Sequence, residues 1–228
     1  MSIFYPRFHF EVRYSHILNF STVVKDVLSP YLRLVTSFKI SNQGLLEENI
    51  KLLFEDDAYA IDVRWDKIIF TAENDINRFN DENSPISIFF EILDKLGKKE
   101  SFGMITNCVF MAVMVNISEE KHEKILKDFK GQYLNSNTDK FFTEPDDIAI
   151  VLEKQENDRL TSITIGPYSP KDIPRRNLIP FKSQELFIKL AEKNGIMMEM
   201  KVFENNKNIN FKYFKELIKL SNNYIKLM

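Results

Sequence analysis

Along Arg7–Tyr14 apolar and polar positions alternate without a break. Phe8, Phe10, Val12 and Tyr14 fall on one side and Arg7, His9, Glu11 and Arg13 on the other, which predicts a half-buried strand. From Ile17 the period lengthens: Ile17, Phe20, Val23, Val24, Val27, Leu28 and Tyr31 make one helical stripe, and Pro30 falls where that helix should finish. Arg33–Ile40, Ile50–Phe54, Ala58–Arg64 and Lys67–Ala72 then read as an antiparallel meander, with turns at Asp56-Asp57 and Trp65-Asp66. A helix over Ser84–Leu96 is signed at both ends. Ser84 suits the N-cap, Pro85 the first helical position and Gly97 the stop, and the face to be buried is Ile86, Phe89, Phe90, Leu93 and Leu96.

From Met104 a similar order begins again. Met104–Ile117 is apolar on both sides, as a central strand should be. Ser118 is placed to cap a helix with Glu119 and Glu120 in its first turn, a buried face of His122, Ile125, Leu126 and Phe129, and Gly131 at its end. Asp147–Lys154 and Arg159–Ile165 form a hairpin around Gln155–Asp158. Gly166–Pro180, with four prolines, reads as irregular. A helix at Ser183–Asn194 stopped by Gly195, a strand at Ile196–Phe203 and a last helix from Asn210 complete the chain. The expectation is an α+β protein with antiparallel or mixed sheets and helices on one face. It divides into lobes 1–103 and 104–228 of like β-α-β-β-β-α pattern, or forms one integrated domain.

Composition narrows the chemistry. Of 228 residues, twenty are Phe and only six Gly, so the core is built on large rings and a glycine-rich phosphate loop is disfavoured. Cys108 is the sole cysteine, which rules out an intrachain disulfide and a thiolate zinc cluster; its apolar surroundings predict a buried, inert thiol. Charges inside the first apolar residues argue against a signal peptide, and no run approaches the ~20 apolar residues of a membrane span. A reducing, cytoplasmic setting without membrane contact is therefore expected. Residues 171–228 hold 12 Lys and Arg against 6 Asp and Glu, leaving 19 against 27 before them in a chain of net charge −2. Solvated helix faces account for this; an anionic partner such as nucleic acid, or head-to-tail self-contact, is the alternative.

No catalytic motif is complete. Asp146 in Glu144-Pro145-Asp146-Asp147, with Glu199 and Lys201 in Glu199-Met200-Lys201, has the residue types by which metal-dependent nucleases place two carboxylates on a divalent ion beside a lysine. Their separation of 53 positions fits that arrangement poorly. Glu55, Asp56, Asp57, Asp62 and Asp66 are explained by turn chemistry. His9, His16 and His122 lack metal-ligand spacing, and neither a Walker sequence nor a dinucleotide fingerprint occurs. Neither a resident metal nor a cofactor is expected. The best contact patch is Lys171, Arg175 and Arg176 flanked by Tyr168 and Phe181, where arginines beside rings on a proline-stiffened segment suit phosphate or protein carboxylates. Trp65 on its turn is either a second anchor or a core plug.

Ile196-Met-Met-Glu-Met-Lys-Val-Phe203 followed by a helix with Phe214, Leu217 and Asn222-Asn223-Tyr224-Ile225 resembles the ending of a sporadically distributed family of uncharacterised bacterial proteins. Phe102–Ile117, closing on Val115-Asn116, is similar to their middle strand but lacks its Arg and Arg-Tyr pair. The resemblance implies a duplicated strand-helix-sheet fold and the patchy distribution of mobile or defence-associated genes, and supplies no catalytic residues. The resulting expectation is a non-catalytic subunit of a multi-protein assembly in a bacterium or its mobile elements. The alternative is a nucleic-acid-binding protein or nuclease.

Overall fold

The computed structural model describes residues 2–17, 19–45, 47–55, 58–73, 76–81, 84–134, 145–176, 178, 184–206 and 208–226. Nine strands form one sheet: β1 (Ser2–Tyr14), β2 (Ser37–Ser41), β3 (Asn49–Phe54), β4 (Tyr59–Arg64), β5 (Lys67–Ala72), β6 (Ile105–Ser118), β7 (Ile150–Glu156), β8 (Arg159–Tyr168) and β9 (Asn194–Glu204). Their order is β2-β3-β4-β5-β1-β6-β9-β8-β7, with every neighbouring pair antiparallel. The class is α+β, and the sheet is antiparallel throughout rather than mixed. Both halves place their first strand at the centre, and the later strands of each run inward from an edge to meet it.

The helices are α1 (Phe20–Leu28), α2 (Ile86–Gly97), α3 (His122–Tyr133), α4 (Asp172–Arg175), α5 (Gln184–Glu192) and α6 (Phe211–Ile225). α1, α2 and α6 bury Val24, Phe89 and Phe214 against the face carrying Phe8, Phe10, Phe70 and Phe110. Rings run through this core in contact: Phe54 on Tyr59 at 4.2 Å, Tyr59 on Phe70 at 5.4 Å, Phe8 on Phe110 at 5.4 Å and Phe10 on Phe214 at 5.0 Å. Each fully buried ring of this kind stabilises the fold by roughly 1.5–3 kcal/mol relative to exposure. α3 covers the far end of the same face, where its Ile125 and Phe129 border a hollow shared with Ile165 and Ile196. The exception is α4–α5. Ile173, Leu186 and Leu190 pack on the opposite face, against Val113, Val115 and Met197.

Several local expectations are corrected. β1 starts earlier than Arg7 because a register shift between Phe4 and Arg7 absorbs Pro6 and hides the strand's first residues from the alternation. Ile17 bridges to Phe102 instead of opening α1, which follows Asn19 in the left-handed conformation (φ 55°). α1 does finish just ahead of Pro30, at Leu28, but the chain continues in a 3-10 segment, Ser29–Leu34, with Pro30 in its first turn. Ser84 does not cap α2: the helix begins at Ile86 with Pro85 in the N-cap position and no side-chain cap, and the buried Ser84 Oγ has no partner. Gly131 lies inside α3, not after it. Gly166–Tyr168 continue β8, and Asp172–Arg175 is helical, within the segment expected to be irregular. Pro167 is tolerated because β7 pairs with β8 only as far as Ile165, so Pro167 pairs with Ile196 of β9 alone. Gly195 belongs to β9: a Cβ there would lie 2.1 Å from the Asn116 carbonyl oxygen.

The two glycines predict opposite effects. Gly195→Ala should lower stability by about 1–3 kcal/mol, because backbone must move to admit the methyl group. Gly131→Ala, whose Cβ would meet nothing within 4 Å, should raise it by about 0.5–1 kcal/mol. Urea midpoints of the two variants check both signs.

Candidate interaction surface on the open sheet face

Strict alternation gives the sheet a second face, and α4–α5 cover only the part around Val113, Val115 and Met197. The rest lies open. Register fixes what it displays. One row runs Lys51, Asp62, Ile69, Glu11, Val109 and Phe203 across β3, β4, β5, β1, β6 and β9. The next runs Thr71, His9, Met111, Lys201 and Ser162 across β5, β1, β6, β9 and β8. A third joins Lys67, Arg13 and Asn107.

Glu11 is the centre of this surface. It is only 5% exposed although no described helix lies over it, because longer side chains close around it. His9 Nε2 lies 3.3 Å from Glu11 Oε2, the Arg13 guanidinium hydrogen-bonds to Oε1, and Lys67 Nζ stands 3.8 Å from Oε1. Burial alone would push the carboxyl up; the hydrogen bonds from His9 and Arg13 and the charges of Lys67 and Arg13 outweigh it and hold the group at about 2. Arg64 donates to Asp62 Oδ2 from Nε at 3.1 Å and from its terminal nitrogen at 2.9 Å. Lys201 pairs with Glu199 at 2.6 Å. Two acceptors on this face remain unserved: Asp62 Oδ1 and Asn107 Oδ1 are buried and have no hydrogen-bond partner.

The expected contact patch is divided by the structure. Lys171 and Arg175 are exposed on the α4 segment, on the same side of the sheet as the open face, and Arg176 is half-buried, 3.8 Å from Asp172. Tyr168, expected to flank them at the surface, is fully buried and donates its hydroxyl proton to the Leu190 carbonyl at 2.8 Å. It is a packing residue holding α5 to β8, so its place in the patch is withdrawn. Phe181 lies outside the described residues. Trp65 is neither free anchor nor core plug: it is half-buried and stacks on His16 at 4.6 Å.

The nuclease arrangement gains no geometry. Glu199 is occupied by Lys201 on its own strand, Asp146 is exposed ahead of β7, and among the described residues no three His, Cys, Asp or Glu side chains converge. Asp56 and Asp57 of the acidic turn lie outside the described residues. Cys108 is buried, and burial pushes its thiol up to about 11. Its Sγ lies 3.3 Å from the Tyr213 hydroxyl, which donates to Glu204 Oε2 at 2.6 Å while Arg159 Nε donates to the same oxygen at 2.6 Å. This network ties β6, β8 and β9 to the start of α6. No helix among the described residues is long and apolar enough to cross a membrane. Neither protein-family models nor curated proteins give a match to this chain.

The alternation of Arg7–Tyr14 already announced the polar side of β1, but not that it would stay uncovered. Nor could it show that Lys67, Asp62 and Lys201 would join it, since those residues meet only through register. The depressed Glu11 carboxyl makes a pH prediction. The folded group stays ionised down to about pH 2 whereas the unfolded one takes up a proton near 4.5, so its stabilisation is complete above pH 4.5 and is lost as pH falls toward 2. Glu11→Gln should cost about 2 kcal/mol at pH 7 after solvent screening. The gap from wild type should narrow below pH 4.5 in urea unfolding across a pH series.

Proposed function

We propose that the chain is a non-catalytic interaction protein, a subunit of a multi-protein assembly, which docks a protein partner on the open face of its sheet with the α4 segment beside it. The observation that carries this is a mixed array of charged and apolar side chains on one rigid surface. Lys51 and Lys201 present partly exposed cations, and Glu11, Asp62 and Glu199 set carboxylates among them. A protein surface offers carboxylates and N–H groups together. A phosphate backbone offers acceptors only, and the carboxylates of Glu11, Asp62 and Glu199 would repel it. Val109, Met111 and Phe203 set apolar area between the charges, as in the mixed cores of protein interfaces. Phe203, at 36% exposure, is the one large ring among these rows, whereas single-stranded nucleic acid is bound on several.

The partner is best sought among products of neighbouring genes, co-expressed with this chain. Lys51→Glu with Lys201→Glu should weaken the complex by ~1–3 kcal/mol per lost charge-assisted contact, and melting should change by no more than about 1 kcal/mol, since both lysines are partly exposed. Arg175→Glu with Arg176→Glu asks the same of the α4 segment. A chain that co-purifies with no neighbouring product, or a complex indifferent to both double variants, would sink the proposal. Salt-sensitive retention on duplex or single-stranded DNA, abolished by the same changes, would put nucleic acid in the partner's place.

A further inference from the structure

An antiparallel sheet with an odd number of strands has two edges that run in the same direction, and this sheet has nine strands, edged by β2 and β7. The consequence for association is geometric. Setting β7 of one copy beside β2 of another, with the helix-bearing sides kept together, gives parallel neighbours. A two-fold axis normal to the sheet gives antiparallel neighbours, β7 on β7 or β2 on β2, and also keeps those sides together. The β7 edge is bare. Every residue from Val151 to Glu156 is exposed, and no described strand pairs with the outer side of β7. Register places Leu152 on the helix-bearing side, in line with Ile163 and Met200, and Val151 on the opposite side, in line with Thr164 and Glu199. Yet Leu152 is 59% and Val151 58% exposed. A helix laid on the sheet would cover one of them; a strand laid alongside covers both.

Such a two-fold axis must pass through a residue, because neighbours along a strand point to opposite sides and only like-facing residues can stand opposite one another. In β7 that leaves few choices. Centring on Glu153 or Lys154 opposes that charge to its own copy, which is destabilising. Centring nearer either end keeps at most three pairs within the strand. Centring on Leu152 keeps five: Leu152 meets Leu152 of the second copy, Val151 meets the stem of Glu153, and Ile150 meets the stem of Lys154. The two Glu153 residues then lie on a diagonal, about 7–8 Å apart, with water beside them. Lys154 retains its own-strand partner, Glu156, at 2.5 Å. β2 offers less: its middle residue is Lys39, and the registers on either side of it keep three pairs. We propose that the chain pairs with a second copy of itself through β7, centred on Leu152, so that two nine-stranded sheets become one. Both open faces then lie on the same side of it. The proposal is independent of what docks there and stands whether or not a partner does.

Sedimentation equilibrium of the full chain should show a dimer forming below about 200 μM. Leu152→Asp, which sets two carboxylates face to face, should weaken that dimer at least about tenfold. Its urea midpoint at about 1 μM protein should stay near that of wild type, because the site is exposed. Cysteine substitution reads the register. Cys108 is buried, so an introduced surface thiol is the one that reacts with the oxidant diamide. Leu152→Cys should cross-link to its own copy, since directly opposed Cα atoms stand about 4.5–5.5 Å apart. Val151→Cys and Glu153→Cys, diagonal to their own copies, should each cross-link slowly alone and at least about tenfold faster when mixed. Phe38→Cys on β2 should not cross-link. A chain still monomeric at about 200 μM, a dimer that survives Leu152→Asp, or Val151→Cys cross-linking alone as fast as Leu152→Cys would overturn the proposal. Cross-linking through Phe38→Cys in preference to Leu152→Cys would move the contact to the β2 edge and overturn it equally.

Discussion

The pairing of β1 with β6 is the constraint on which the rest of the molecule depends. It runs antiparallel from Ser2 opposite Ile117 to Tyr14 opposite Ile105 and, among the described residues, is the only ladder joining strands from the two halves of the chain. Through it Phe8 and Phe10 reach Phe110 on one side and Phe70 on the other, and Phe214 of α6 closes over them from above. A slip of one residue would turn Glu11 and Arg13 into this ring cluster and the phenylalanines out to water. Burial of the rings therefore fixes the register, and the register fixes every row on the opposite face.

That dependence makes the two faces consequences of one another. The helix-bearing face is filled by large rings, and so the open face receives whatever alternates with them: His9, Glu11 and Arg13 from β1, Lys67 and Ile69 from β5, and Lys201 from β9. A lone buried carboxylate would be costly, but Glu11 has partners two residues away on its own strand and one on the next. The cluster is thus a product of strand geometry rather than of a loop. A surface held this way changes shape little, which suits a docking face better than a moving catalytic site. α4–α5 end the open region by covering Val113, Val115 and Met197. The same helix pair brings Lys171 and Arg175 to that side of the sheet.

The hollow beneath α3 has a different origin. There the sheet face changes from packed rings to Asn116, Ile165 and Ile196, and α3 contributes only Ile125 and Phe129 as buried side chains. The expected buried stripe also held His122 and Leu126, which are half-buried. A helix with so narrow an apolar seam cannot fill the space under it, and the space remains.

Much of this was legible in the chain. Period two around Phe8 and Phe10, period three to four around Phe214 and Leu217, and the Asn210 cap, whose side chain accepts from Tyr213 N at 3.0 Å, are local signals, and the structure has each element. The α+β class and the buried Cys108 followed from the same patterns. Local signals failed where a neighbour decided the outcome. Gly166 and Gly195 looked like breakers and are strand residues, because Ile148 and Asn116 press against them. Tyr168 looked like a surface anchor beside arginines, and α5 buries it. The sequence by itself determined which side of each strand and helix is apolar, since that depends only on spacing along one backbone. Which apolar sides found covers, which charged rows were left open and where a polar Asn116 was shut in with no partner were decided by tertiary structure alone, because those relations exist only between segments far apart in the chain.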